Sequence, residues 1–133
     1  MRRIFISYSN KDTAFVAQLE RMFRQIDVTG FLDQSDMAAG APISSQIREA
    51  IRSASAVLVL LSEDAVRSNW VPFEIGLAQS LGKPIIPVLL PTSELNKSIL
   101  DLVKDYQVID ARNKPIPEIV KEIDSALELQ EAR

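Results

Sequence analysis

Two hydrophobic periods alternate along the chain, and the points where one gives way to the other divide it into elements. Residues 4–8 form a short β-rich run followed by the polar cluster Ser9, Asn10, Lys11 and Asp12, a strand running into a turn. From Asp12 onward, Phe15, Val16, Leu19, Met22, Phe23 and Ile26 recur at three- and four-residue steps, the stripe of a helix that begins near an Asp cap. Residues 28–33 read as a second short strand. Residues 34–42, with Gly40, Pro42 and several small side chains, read as a mobile loop and the best candidate for a gate. Ile43, Ile47, Ala50, Ile51 and Ala54 restore the helical period, with Ser44 or Ser45 placed to cap its start. Residues 56–61 are continuously apolar and branched, as expected of a strand buried on both faces at the centre of a parallel sheet.

The helical pattern over 62–81 is interrupted around 69–72. Proline is tolerated in a first helical turn and breaks an interior one, so the pattern predicts a short helix, a break, and a second helix ending at Gly82. Residues 83–90 form another apolar strand, and Pro84 and Pro87 within it suggest a place nearer an edge, or a bulge at Pro87. A weak helix over 95–103, a short last strand over 107–109 and a terminal amphipathic helix over 116–129, opened by Pro115 and Pro117, complete the series. Strands alternating with helices imply right-handed crossovers between parallel neighbours. The expected fold is therefore a flavodoxin-like, three-layer α/β sandwich, a five-stranded parallel sheet with helices on both faces. Ligands of such sheets bind beyond the carboxyl ends of the strands, which directs attention to residues 7–12, 33–42, 62–74 and 89–92. The glycines, Gly30, Gly40, Gly76 and Gly82, read in order as turn, loop, helix-packing and helix-stop positions.

Composition narrows the chemistry. At 133 residues the chain is the size of one domain with one core, and its 47% apolar and 25% charged residues suit a folded soluble protein. The net charge of −3 is spread over interspersed residues of both signs, without a basic patch for nucleic acid. There is no Cys and no His, which removes thiolate and imidazole metal sites, Cys nucleophiles, disulfides and His-based triads. Catalysis, if any, runs on carboxylates, hydroxyls, backbone amides, Lys or Arg, with no metal. The apolar run at 56–61 is far shorter than the ~20 residues that span a bilayer, and the N-terminus has no signal-peptide core, so the expectation is a cytoplasmic protein without a membrane partner. Neither glycine-rich phosphate signature is present, which excludes an ordinary dinucleotide-binding dehydrogenase and a P-loop NTPase.

The most informative cluster runs from Trp70 to Gly76. Trp70 and Glu74 are four apart, so with Pro72 in the first helical turn the indole and the carboxylate share one face. An aromatic plate beside a carboxylate suits a nucleoside. The same spacing suits a core Trp and a Glu that merely complements a helix N-terminus, and the spacing does not choose between them.

Residues 4–9 (Ile, Phe, Ile, Ser, Tyr, Ser) followed by Asp12 resemble the first-strand motif of TIR (Toll/interleukin-1 receptor-like) domains. Phe31-Leu32-Asp33 resembles their second strand, residues 34–42 their BB loop, and residues 84–88 their fourth strand. Trp70, Glu74 and Gly76 resemble the motif that carries the catalytic glutamate of NAD-cleaving members. The resemblance covers nearly the whole chain in the right order and makes residues 1–133 a single TIR domain, most like the bacterial NAD-cleaving kind. It implies one of two functions. The first is hydrolysis or cyclisation of NAD+ to nicotinamide and ADP-ribose or a cyclic isomer, with NAD+ as substrate and no cofactor. The second is a non-catalytic scaffold for homotypic signalling assembly. Glu74 favours the first. A nucleoside deoxyribosyltransferase-like enzyme is a third possibility, though its own signatures are not evident.

The resemblance also implies partners and roles. TIR–TIR contacts would assemble the active form, a fused or separate sensor domain would trigger it, and signalling or antiphage defence is the setting. Glu74 would hold the nicotinamide ribose, Trp70 would wall the ribose or base, Ser7, Tyr8 and Ser9 would contact ribose or phosphate, and Asp33 would anchor the mouth of the loop. The position after strand one that is often basic in NAD-cleaving members reads Asn10-Lys11 here, leaving Lys11 as the point charge for phosphate. Arg48 and Arg52, four apart after the loop, are equally explained as a solvated helix face.

Overall fold

A computed structural model describes residues 2–23, 28–29, 43–68, 70–91, 93–94 and 96–131. Its elements in chain order are β1 (Arg2–Ser7), a 3-10 turn (Asn10–Asp12), α1 (Thr13–Phe23), β2 (Val28–Thr29), α2 (Ile43–Ser53), β3 (Ala56–Leu61), α3 (Glu63–Arg67), α4 (Trp70–Ser80), β4 (Ile85–Leu89), α5 (Lys97–Val103), β5 (Ile109–Asp110) and α6 (Ile116–Glu131). The five strands form one parallel sheet in the order β2-β1-β3-β4-β5. This is the expected flavodoxin-like sandwich.

The continuous apolar run of β3 has a direct cause. Side chains alternate across a strand, so a strand covered on both faces needs apolar residues at every position. Ala56, Leu58 and Leu60 enter one core with Ile4 and Ile6 of β1, beneath α1 and α6; Val57, Val59 and Leu61 enter the other with Phe5, beneath α2, α3, α4 and α5. All six β3 residues are buried, and β3 pairs with β1 from Ile4↔Ala56 to Ser7↔Val59.

Pro87 is accommodated without a bulge, since the β3–β4 register runs unbroken from Val57↔Ile85 to Leu61↔Leu89. The strand lies one in from the edge. The Val57 N–H donates to the Pro84 carbonyl and the Leu90 N–H to the Leu61 carbonyl, so even-numbered positions of β4 face β3. The Ala111 N–H donates to the Leu89 carbonyl, so odd-numbered positions face β5. Pro87 thus turns its donorless nitrogen toward β5, whose pairing begins only at Val88↔Ile109.

Several local expectations need correction. The helix after β1 is not opened by Asp12: Ser9 caps the preceding 3-10 turn by accepting from the Lys11 N–H at 3.2 Å. Asp12 instead accepts from the Ser62 hydroxyl at 2.6 Å. Ser44 and Ser45 lie inside α2, which begins at Ile43, and so do not cap it. Gly76 is not a packing glycine, since it is exposed and a Cβ there would meet nothing within 4 Å. The helix-stop reading of Gly82 fits: its φ is 68°, and the Gly82 and Lys83 N–H groups donate back to the carbonyls of Gln79 and Ala78. Expectations for residues 30–33 and for the loop at 34–42 lie outside the described residues.

Candidate functional site

At the carboxyl end of β1 the chain turns through Tyr8 and Ser9 into the 3-10 turn. At the carboxyl end of β3, Ser62 caps α3 by accepting from the Ala65 N–H at 3.0 Å, while its own hydroxyl donates to Asp12. One serine therefore ties the two loops together. Asp12 is partly buried by this arrangement. Burial raises its carboxyl above the ordinary value, the Ser62 hydrogen bond opposes that, and the nearby Asp64 charge adds to it.

The break between α3 and α4 falls where proline chemistry places it. Ser68 ends α3, donates its hydroxyl to the Ala65 carbonyl at 2.8 Å and accepts the Val71 N–H at 3.1 Å, closing one helix and capping the next. Pro72 is the third residue of α4, where its missing N–H costs no helical bond. Trp70 and Glu74 accordingly stand one turn apart on the same face. The Trp70 ring meets the exposed Phe73 edge-on, with centroids 6.2 Å apart, and packs partly against the core beneath α4.

Glu74 carries the least ordinary environment of the described residues. It is 7% exposed, and its Oε1 accepts from the Ser7 hydroxyl at 2.6 Å. Burial pushes its carboxyl up to about 7, and the Ser7 bond, which favours the ionised form, recovers part of that rise. A carboxylate poised near neutrality at the floor of a cleft is a recurrent mark of a functional site.

The cleft has a volume of about 410 Å³. Ile6, Tyr8, Ser9, Asn10 and Lys11 form the side that follows β1, and Asp64, Arg67, Ser68, Trp70 and Glu74 form the side that follows β3. The structure thus gathers Glu74, Trp70, Tyr8, Ser9 and Lys11 around one space. Ser7 is fully buried and is not part of the lining, so direct contact with ribose or phosphate is closed to it; its hydroxyl is engaged by Glu74. Lys11 reaches Asp64 at 3.5 Å across the rim. Asp33 lies outside the described residues.

Asp64, Arg67 and Ser68 also line the cleft and were not singled out by motif. Their only signal is their place within 62–74, just beyond the carboxyl end of β3. Arg52 is paired with Glu49 at 3.3 Å on exposed α2, and Arg48 is exposed there too; neither lines the cleft. Among the described residues no group of three or more acidic side chains could hold a metal ion, and no helix is long and apolar enough to cross a membrane.

Comparison with known proteins gives concordant results. A family model described as TIR domain matches residues 4–129. The TIR domain of the Toll-related receptor TRR-2 from Hydra magnipapillata superposes with a TM-score of 0.77 at 20% identity, over 94% of this chain and 97% of that one. The RPS4 and RRS1 TIR domain heterodimer gives 0.73 at 15% identity, with both chains fully covered. The CMP N-glycosidase BcmB of Clostridium botulinum gives 0.62 at 18% identity, over 92% and 99% of the two chains. At these identities the likeness is one of fold. No curated protein sequence matches the chain.

Proposed function

The chain belongs to the TIR-domain family, and on that premise we propose that it cleaves the nicotinamide–ribose bond of NAD+, releasing nicotinamide and ADP-ribose or a cyclic ADP-ribose isomer. The observation that carries this reading is the desolvated Glu74 carboxylate at the floor of a nucleotide-sized cleft, with the Trp70 indole on the same helical face.

The chemistry asks little of the protein. Nicotinamide departs from a cationic pyridinium as a neutral base, taking the electron pair of the C1′–N bond, so no general acid is required and the absence of His is no obstacle. Positive charge develops on the ribose, as in the oxocarbenium-like transition states of glycoside cleavage. An ionised Glu74 beside that sugar stabilises the charge, and in a water-poor site the interaction is stronger than it would be in solvent. Water then adds at C1′ and loses a proton to give ADP-ribose; an adenine or ribose atom held in its place gives a cyclic product instead. The substrate itself favours the required form of Glu74, because a bound pyridinium lowers the carboxyl's proton affinity.

The fold likeness to a CMP N-glycosidase is consistent with cleavage of an N-glycosidic bond on this scaffold. The pairing in the RPS4 and RRS1 heterodimer supports TIR–TIR self-association; a fused or separate sensor domain as the trigger is part of the proposal. The test is incubation of concentrated protein with NAD+, chromatographic separation of products, and Glu74→Ala in parallel. Nicotinamide release by the parent alone is expected. Silence from both proteins under crowding, with self-association intact, would transfer the assignment to a non-catalytic scaffold for homotypic assembly.

A further inference from the structure

The cleft carries two cations, and the structure treats them differently. Lys11 is spent on Asp64, a 3.5 Å pair across the rim, with the lysine side chain 74% exposed. Arg67, the last residue of α3, lines the same cleft and makes no hydrogen bond or ion pair with any described residue. Both cleft serines are committed elsewhere: on the side of Arg67, Ser68 donates and accepts within the α3–α4 junction, and on the opposite side Ser9 caps the turn after β1.

Among the described residues, the charges of the cleft leave one cation without a partner. Lys11 and Asp64 neutralise each other. Glu74, buried at the floor, matches a cationic pyridinium or the positive charge that develops on a ribose. Arg67, on the same side of the cleft as Glu74, pairs with no anion among the described residues. A guanidinium stays charged throughout the working pH range and offers a planar fork of donors that fits phosphate oxygens, often two at once. A dinucleotide with a cationic base and a diphosphate carries both charges that Glu74 and Arg67 would match.

We propose that Arg67 is the phosphate-recognising residue of the cleft, selecting a phosphorylated nucleoside over the free nucleoside; this rests on the nucleotide-cleaving reading above. It assigns to α3 a role that the residues after β1, Asn10 and Lys11, fill poorly here. It also accounts for a cleft-lining cation that pairs with no described residue.

The experiment uses the chain's single tryptophan. Trp70 lines the cleft, so its fluorescence reports binding directly. Wild type, Arg67→Ala, Arg67→Lys and Lys11→Ala are titrated with ADP-ribose and, separately, with nicotinamide riboside, which lacks phosphate. Circular dichroism confirms that each exposed substitution leaves the fold intact. Loss of a hydrogen-bonded charge contact predicts that Arg67→Ala weakens ADP-ribose binding by about ten- to a hundredfold. Arg67→Lys should recover part of the loss, Lys11→Ala should cost less, and nicotinamide riboside should bind Arg67→Ala as it binds wild type. An equal loss for both ligands, no loss, a larger loss from Lys11→Ala, or a wild type that does not bind ADP-ribose would each overturn the assignment. Binding and turnover separate the two readings. Arg67-dependent binding of ADP-ribose by a protein that leaves NAD+ intact removes the cleavage reading and keeps the subsite, whereas turnover with binding indifferent to Arg67 does the reverse.

Discussion

Replacing Glu74 by Gln should stabilise the fold, and by an amount that depends on pH. Folding holds this carboxyl at about 7 against an ordinary value of 4.5, because burial penalises its charge more than the Ser7 hydrogen bond rewards it. A raised carboxyl favours folding in its protonated form. Its contribution is fully present below the unfolded value and is lost as pH rises through the folded one. Between those two values the unfolded chain releases its proton while the native chain retains it, so stability falls with pH across that window. Holding the carboxyl at about 7 rather than 4.5 amounts to about 3 kcal/mol. Gln keeps the carbonyl oxygen that accepts from Ser7 but has no charge to desolvate. The advantage of Glu74→Gln over wild type should therefore grow by about 3 kcal/mol between pH values of about 4 and about 8, or roughly 10 °C in Tm for a chain of this size. Thermal unfolding of both proteins across that range reads the effect. A gap in Tm that does not change with pH, or a wild type that gains on the variant as pH rises, would show that Glu74 is not desolvated as the structure has it.

Other expectations follow from the same contacts. On the proposed reading, cleavage of NAD+ requires ionised Glu74, so kcat/KM should rise with pH through about 7; Ser7→Ala removes a bond that favours the ionised form and should move that midpoint upward, while Ser7→Thr, which keeps the hydroxyl, should move it less. Trp70→Ala should raise KM for NAD+ by about ten- to a hundredfold if the indole stacks on a ring, with Trp70→Phe retaining most of the binding; equal losses in both variants would limit Trp70 to packing. Gly76→Ala should stabilise the monomer by about 1 kcal/mol in denaturant unfolding, because the position is helical, exposed and free of neighbours within 4 Å. Gly82→Ala should destabilise it by about 1 kcal/mol, because φ there is 68°.

Features that depend on neighbours in sequence were legible in the chain, and features that depend on distant neighbours were not. The all-apolar run of β3 declared a strand covered on both faces, and Pro72 with the polar residues before it declared the break that puts Trp70 and Glu74 on one face. The substrate contact expected of Ser7 rests on the resemblance, and nothing beside it in sequence shows its real partner. Its partner is 67 residues away, and only the packing of α4 beside β1 reveals that the hydroxyl is turned inward. Asp12 stands where the helical stripe begins and so reads as its cap, while its partner, Ser62, is 50 residues off. Arg67 has no motif at all: a basic residue in the last turn of a short helix reads as complement to the helix dipole, and only the cleft gives it another meaning. The small residue at Gly76 invited a packing role that the open space around it denies.

The location of the cleft follows from topology and its chemistry from very few side chains. Between β1 and β3 the strand order reverses direction. From β1 the chain leaves through α1 toward one face of the sheet, and from β3 it leaves through α3 and α4 toward the other. The two loops diverge and leave a crevice at adjacent carboxyl ends, which is where open α/β sheets hold ligands. Any sequence that folds this way has the crevice. On the proposed reading, what suits this one to glycosidic cleavage is a carboxylate placed on the first turns of α4, over the last residue of β1, at a cost in native stability that a neutral side chain would not incur. On the same reading, exchange of Glu74 for a neutral side chain of like shape should remove the chemistry and strengthen the fold. Selection for assembly without catalysis would favour that exchange, and fold membership by itself separates no catalyst from a scaffold.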